Sequence, residues 1–193
     1  MSDEIKIMSF DPSINFIGCT IMTCIIEPET DKLIVRSIET TLLDMTVPQN
    51  PHNINGTQIF KLEIIDEKVT ELLEAHKPDI VSYERPFLSR FSPGAYGPLV
   101  QCCNIIIMTT LTYDGSTLIF GHSPGEVKNA LGAKGGKTKK ENGQKITVME
   151  SALKCEHVTN FVNPEKMTEH ELDSVGVAYC SHKYIDDRRE LLW

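Results

Sequence analysis

Three acidic residues in this 193-residue chain stand where they could do chemistry: Asp11, Glu84 and Asp173. Hard divalent cations such as Mg²⁺ take oxygen ligands, usually a few carboxylates together with substrate phosphate oxygens. Two such ions in one site can activate a water and stabilise the leaving oxygen of a phosphodiester. The plain alternatives are that Asp11-Pro12-Ser13 merely opens a turn and that Asp173 is a solvated helix residue.

The elements that must position these residues follow from hydrophobic periodicity. Ile5, Ile7 and Phe10 lie in a run too short for a helix and rich in strand formers, so a buried strand ending at Asp11 is expected. In open α/β sheets ligands bind beyond the carboxyl ends of strands, where Asp11 would sit. Residues 15–26 and 33–43, separated by the turn at Glu27-Pro28-Glu29, predict an antiparallel meander. A polar stretch rich in Pro and Asn follows. Over residues 58–76, Phe60, Leu62, Ile65, Val69, Leu72 and Leu73 recur at helical spacing, and Pro78 ends that helix by pushing Lys77 out of the helical region. Residues 79–84 repeat the first design, an apolar strand closed by a carboxylate, here Glu84.

A loop over residues 85–98 leads to an apolar helix over 99–113, a turn at Asp114-Gly115-Ser116 and a strand over 117–120. Ser123-Pro124-Gly125-Glu126 has capping-box spacing with proline at the first helical position. A glycine- and lysine-rich loop over 132–143 and a helix over 144–154 come next. Thr168 and Glu171 form a second capping box opening the last helix, on which His170 and Asp173, three apart, share a face.

Phe10-Asp11-Pro12-Ser13 with Gly18, Tyr83-Glu84-Arg85-Pro86-Phe87, and His170-Glu171-Leu172-Asp173-Ser174 with Ala178 together resemble the three acidic motifs of the RuvC family of Holliday junction resolvases, within the ribonuclease H-like superfamily. His122-Ser123-Pro124 and Val127-Lys128 resemble the segment after that family's fifth strand. The resemblance runs over residues 5–184. It implies an α/β ribonuclease H-like fold with a five-stranded mixed sheet flanked by helices, and catalysis and metal ligation by Asp11, Glu84, His170 and Asp173. Mg²⁺ is the expected cofactor, with Mn²⁺ an option and two ions per site. Phe87 corresponds to the aromatic that stacks on an exposed base at the branch point; core packing is its alternative. His170 could instead support a ligand by hydrogen bonding. Ser13 departs from the family, which has glycine there.

The composition sets bounds on all of this. A hydrophobic fraction of 40% and a charged fraction of 24% suit a globular protein, and the length suits a single domain over residues 1–193. The net charge of −8 hides a basic segment. Lys128, Lys134, Lys137, Lys139, Lys140 and Lys145 stand against Glu141 alone, a local charge of +5. Such a cluster can follow a phosphate backbone, and a solubilising surface loop is the alternative. By resemblance, Lys128 and Lys145 lie nearest the site. The six cysteines form no Cys-x-x-Cys pair and lie in apolar segments, which predicts reduced core residues in a cytoplasmic protein rather than a zinc site. The acidic start predicts no secretory signal, and no apolar run approaches the roughly 20 residues needed to span a bilayer.

The expected function is divalent-metal-dependent, structure-selective cleavage of four-way DNA junctions by paired symmetric nicks. A homodimer would match the two-fold symmetry of the junction. The alternatives are a ribonuclease H-like nuclease acting on flaps or structured RNA, and a non-catalytic junction-binding protein. Actin-like ATPases also open with a strand ending in Asp, but this chain is short for their two lobes and has no glycine-rich phosphate loop.

Overall fold

The structure, a computed structural model, describes residues 4–46, 56–88, 93–132 and 156–192. Strands β1 (Glu4–Asp11), β2 (Phe16–Glu27) and β3 (Lys32–Asp44) form the expected antiparallel meander. Strands β4 (Ile80–Glu84) and β5 (Leu118–His122) add in parallel on the other side of β1, giving a five-stranded mixed sheet in the order β3-β2-β1-β4-β5. β5 lies one residue later and ends two residues later than the sequence suggested, because its parallel pairing with β4 continues to Glu84 and His122.

Helices cover both faces of the sheet, as its apolar residues on alternate sides require. One face is covered by α1 (Gly56–His76) and α2 (Tyr96–Tyr113), whose Ile65, Val69, Leu73, Cys102 and Ile106 join Met8, Phe10, Ile17 and Val81. α2 starts three residues earlier than expected, after a short 3₁₀ turn at Pro93–Ala95. α1 stops at His76, where Lys77 takes a positive φ of 49° ahead of Pro78. On the other face lie α3 (Pro124–Ala130), the single turn α4 (Glu156–Thr159) and α5 (Glu169–Asp186). There Leu172, Val175, Ala178 and Tyr179 of α5 pack on Ile5, Ile7, Met22 and Ile80.

Both expected capping boxes are present, Ser123 with Glu126 and Thr168 with Glu171. Cys19, Cys24, Cys102 and Cys103 are buried free thiols and Cys180 is a half-buried one. No helix among the described residues is long and apolar enough to cross a membrane. The lysine-rich loop with Lys134, Lys137, Lys139, Lys140 and Lys145, the helix expected over 144–154 and Cys155 lie outside the described residues.

Candidate functional site

Strand periodicity places the first two carboxylates. Ile5 and Ile7 of β1 pack against α5 while Met8 and Phe10 pack against α1 and α2, so the two-residue alternation turns Asp11 toward α5. β4 pairs with β1 in parallel, Ile7 beside Ile80 and Phe10 beside Tyr83. Glu84 therefore follows Asp11 at the adjacent strand end, on the same side of the sheet.

The third carboxylate and the histidine come from the start of α5. Its first turn is fixed by the Thr168 cap, which accepts from the Glu171 N–H at 3.3 Å while the Glu171 carboxylate accepts from the Thr168 N–H at 2.9 Å. A buried polar bridge then ties the helix to the sheet. Ser9 Oγ donates to the Ser174 carbonyl at 2.8 Å, and Thr20 Oγ1 lies 2.7 Å from Ser174 Oγ. Further along, buried His122 of β5 meets Ser181 at 2.7 Å. Gly18 allows the closest approach: a Cβ on it would lie 1.9 Å from the His170 carbonyl oxygen. His170 Nδ1 consequently reaches Asp11 Oδ2 at 2.5 Å.

The electrostatics are those of carboxyls buried close to one another. Burial, then Asp11, then Asp173 push the Glu84 carboxyl up to about 7, against a pull from Lys128. Burial, Asp11 and Glu169 push Asp173 up to about 7, against Lys128 and His170. Asp11 is also raised, because burial outweighs the hydrogen bond from His170. His170 is raised chiefly by that same hydrogen bond. Asp11 and His170 are thus tied by one short hydrogen bond. Among the described residues no three His, Cys, Asp or Glu side chains stand close enough together to hold a metal ion as they lie. What the site offers is carboxyls, Glu84 and Asp173 above all, whose protonated forms are favoured by burial and by the negative charges around them. That donor chemistry fits a hard divalent ion, which would favour their ionised forms.

Asp11 and Glu84 border a cleft of about 100 Å³ that Phe87 and Cys103 also line. Phe87 is 56% exposed, which excludes the core-packing alternative. Burial pushes the Cys103 thiol up to about 12, so it is no nucleophile at neutral pH. Lys128, in the last turn of α3, is close enough to favour ionised Glu84 and Asp173. The Ser13 carbonyl accepts from Cys102 Sγ at 3.8 Å, tying the turn after Asp11 to α2. The structure thus gathers Asp11, Glu84, His170, Asp173, Phe87 and Lys128. Two neighbours had no strong sequence signal: Phe16, whose ring stacks on His170 at 6.4 Å between centroids, and Arg85, which pairs with Glu126 at 3.2 Å.

No protein-family model and no curated protein sequence matches the chain. Solved structures do. Thermus thermophilus RuvC in complex with a Holliday junction substrate superposes with a TM-score of 0.67 at 16% identity, covering 95% of this chain and 96% of that one. The yeast mitochondrial Holliday junction resolvase Ydc2 superposes at 0.57 with 12% identity, covering 97% and 83%. The fowlpox virus Holliday junction resolvase reaches 0.50 at 13% identity, covering 95% and 99%. With its five-stranded mixed sheet and flanking helices, the chain has the ribonuclease H-like fold in the form that RuvC takes.

Proposed function

We propose that this protein is a divalent-metal-dependent endonuclease that resolves four-way DNA junctions by paired, symmetric nicks. The observation that carries the reading is the placement of Asp11 and Glu84 on one cleft at the ends of adjacent parallel strands of a RuvC-like sheet, with His170, on the helix of Asp173, bonded to Asp11. These four residues would hold Mg²⁺ or Mn²⁺, two ions per site. Bound there, the ions would supply an activated water and charge for the leaving oxygen.

The chain's own residues do the rest. His170 fixes the orientation of Asp11 through Nδ1, while Glu84 and Asp173 give up their protons as the site loads. Phe87, exposed beside Glu84, offers a ring to an unpaired base, and Lys128 places a cation where a phosphate would approach. The lysines from 134 to 145 would extend that contact along the backbone. A homodimer, matching the symmetry of a junction, is supported by exposed apolar side chains on α1 and α2, among them Ile59, Met108 and Leu111.

The test sets a mobile four-way junction beside a flap and an RNA hairpin in Mg²⁺, with the wild-type protein and Asp11→Asn. Paired nicks in the junction are expected from the wild type. The variant should bind the junction in Ca²⁺ and cut nothing. Nicking by Asp11→Asn at the wild-type rate overturns the assignment, and preferential cutting of the flap or hairpin moves it to the corresponding substrate.

A further inference from the structure

Arg85 follows Glu84 at the end of β4, and its backbone N–H donates to the His122 carbonyl at 2.7 Å. The main chain is therefore held to β5 one residue beyond the last β4–β5 pair. Its side-chain stem crosses β5 at Gly121. A Cβ at Gly121 would lie 2.9 Å from Arg85 Cγ and 2.9 Å from the Tyr83 hydroxyl, so the missing side chain is what opens this path. Arg85 also lines the cleft that contains Asp11, Glu84 and Phe87.

The head of the side chain is held far more weakly than its base. Nη2 donates to Glu126 Oε2 at 3.2 Å, with the two side chains 54% and 53% exposed. Solvent-exposed pairs of this kind contribute little. Glu126, moreover, is already committed: the same oxygen accepts the Ser123 N–H at 2.6 Å and closes the capping box of α3. The box is complete without the arginine. A guanidinium carries five donors in a planar fork that matches phosphate better than one exposed carboxylate oxygen.

We propose that Arg85 is a phosphate-positioning residue of this site: its guanidinium leaves Glu126 for a backbone phosphate of the bound DNA, and Glu126 keeps it parked beside the cleft until then. The proposal rests on the nuclease reading above. It assigns Glu126 a second task besides capping.

Binding of a four-way junction in Ca²⁺, measured by fluorescence anisotropy over a salt series, tests it with four variants beside the wild type. Arg85→Gln should weaken binding on the order of tenfold and lower the salt slope by about 0.9, the value of one phosphate contact. Arg85→Lys should keep the slope while losing part of the affinity, because it keeps the charge and loses the fork. Glu126→Gln preserves a capping box, which accepts Gln at that position; it should tighten binding in the wild-type background and change nothing when combined with Arg85→Gln. Wild-type affinity and slope in Arg85→Gln, or the same effect of Glu126→Gln in both backgrounds, overturns the proposal alone. A wild-type protein that binds no junction overturns the nuclease reading and this proposal with it.

Discussion

A methyl group on Gly18 would stand 1.9 Å from the His170 carbonyl oxygen and 2.3 Å from its carbon. β2 and the first turn of α5 therefore touch backbone to backbone, and no rotamer change can make room. Gly18→Ala must push that turn away from Asp11, Ser9 and Thr20. Overpacking of this kind costs about 1–3 kcal/mol, which for a chain of this size lowers the melting temperature by roughly 2–12 °C. Cleavage should fall further than stability does, because a displaced His170 no longer bonds Asp11. Thermal melts alongside single-turnover rates check this; a Gly18→Ala protein with wild-type melting and rate would show that the contact does not position the site.

The raised carboxyls make stability depend on pH in a definite sense. Glu84 and Asp173 titrate near 7 when folded, well above their ordinary values of 4.5 and 3.8. Between roughly pH 4 and 7 the folded, metal-free protein therefore binds more protons than the unfolded chain. Stability from these groups is complete below that interval and is lost as pH rises through about 7. A bound cation favours the ionised forms, so the rise in melting temperature on adding Mg²⁺ should be larger at pH 8 than at pH 6. Glu84→Gln should flatten both trends, and differential scanning fluorimetry in chelator and in Mg²⁺ reads them directly.

Much of this site could be read from local pattern. Asp11 and Glu84 end apolar strands, and Thr168 with Glu171 announces the helix that carries His170 and Asp173, all within windows of a few residues. What could not be read is long-range and carried by residues without a local signature. Gly18 meets His170 through the absence of a side chain, and Ser9 reaches Ser174 across 165 positions of sequence. Glu126 looks like a capping residue and nothing more until Arg85 arrives from 41 positions upstream. Phe16 is one more aromatic at a strand start until α5 lays His170 beside it.

His170 offers a test of ligand chemistry. A carboxylate suits a hard cation, so His170→Asp should still cut, with its pH profile displaced upward by the added negative charge beside Asp11 and Asp173. His170→Ala removes the hydrogen bond that orients Asp11 and should lower the rate by about 10- to 100-fold, as for other groups that support a metal ligand. Rate–pH profiles in saturating Mg²⁺ separate the two variants. Equal loss in both would make the imidazole itself indispensable.

The lysine segment is tested by charge. Replacing Lys137, Lys139 and Lys140 with alanine should weaken junction binding and lower its salt slope by up to about 2.7, some 0.9 for each phosphate released. Cleavage at saturating protein should change little, because none of the three is assigned to the carboxylate site. An unaltered slope would return the segment to a solubilising role.

Phe87 separates base recognition from chemistry. Its ring is 56% exposed yet borders the same cleft as Glu84, so truncation should change stability by no more than about 0.5 kcal/mol. Stacking an aromatic ring on a base contributes about 1–3 kcal/mol. Phe87→Ala should therefore slow junction cleavage by roughly 10- to 100-fold, with Phe87→Tyr close to wild type. A 2-aminopurine placed at the branch point reports the unpaired base: its fluorescence should rise when Asp11→Asn binds and stay low when Phe87→Ala is added to that variant. A full rise without the ring would mean that the branch opens by backbone contacts, leaving Phe87 no part in recognition.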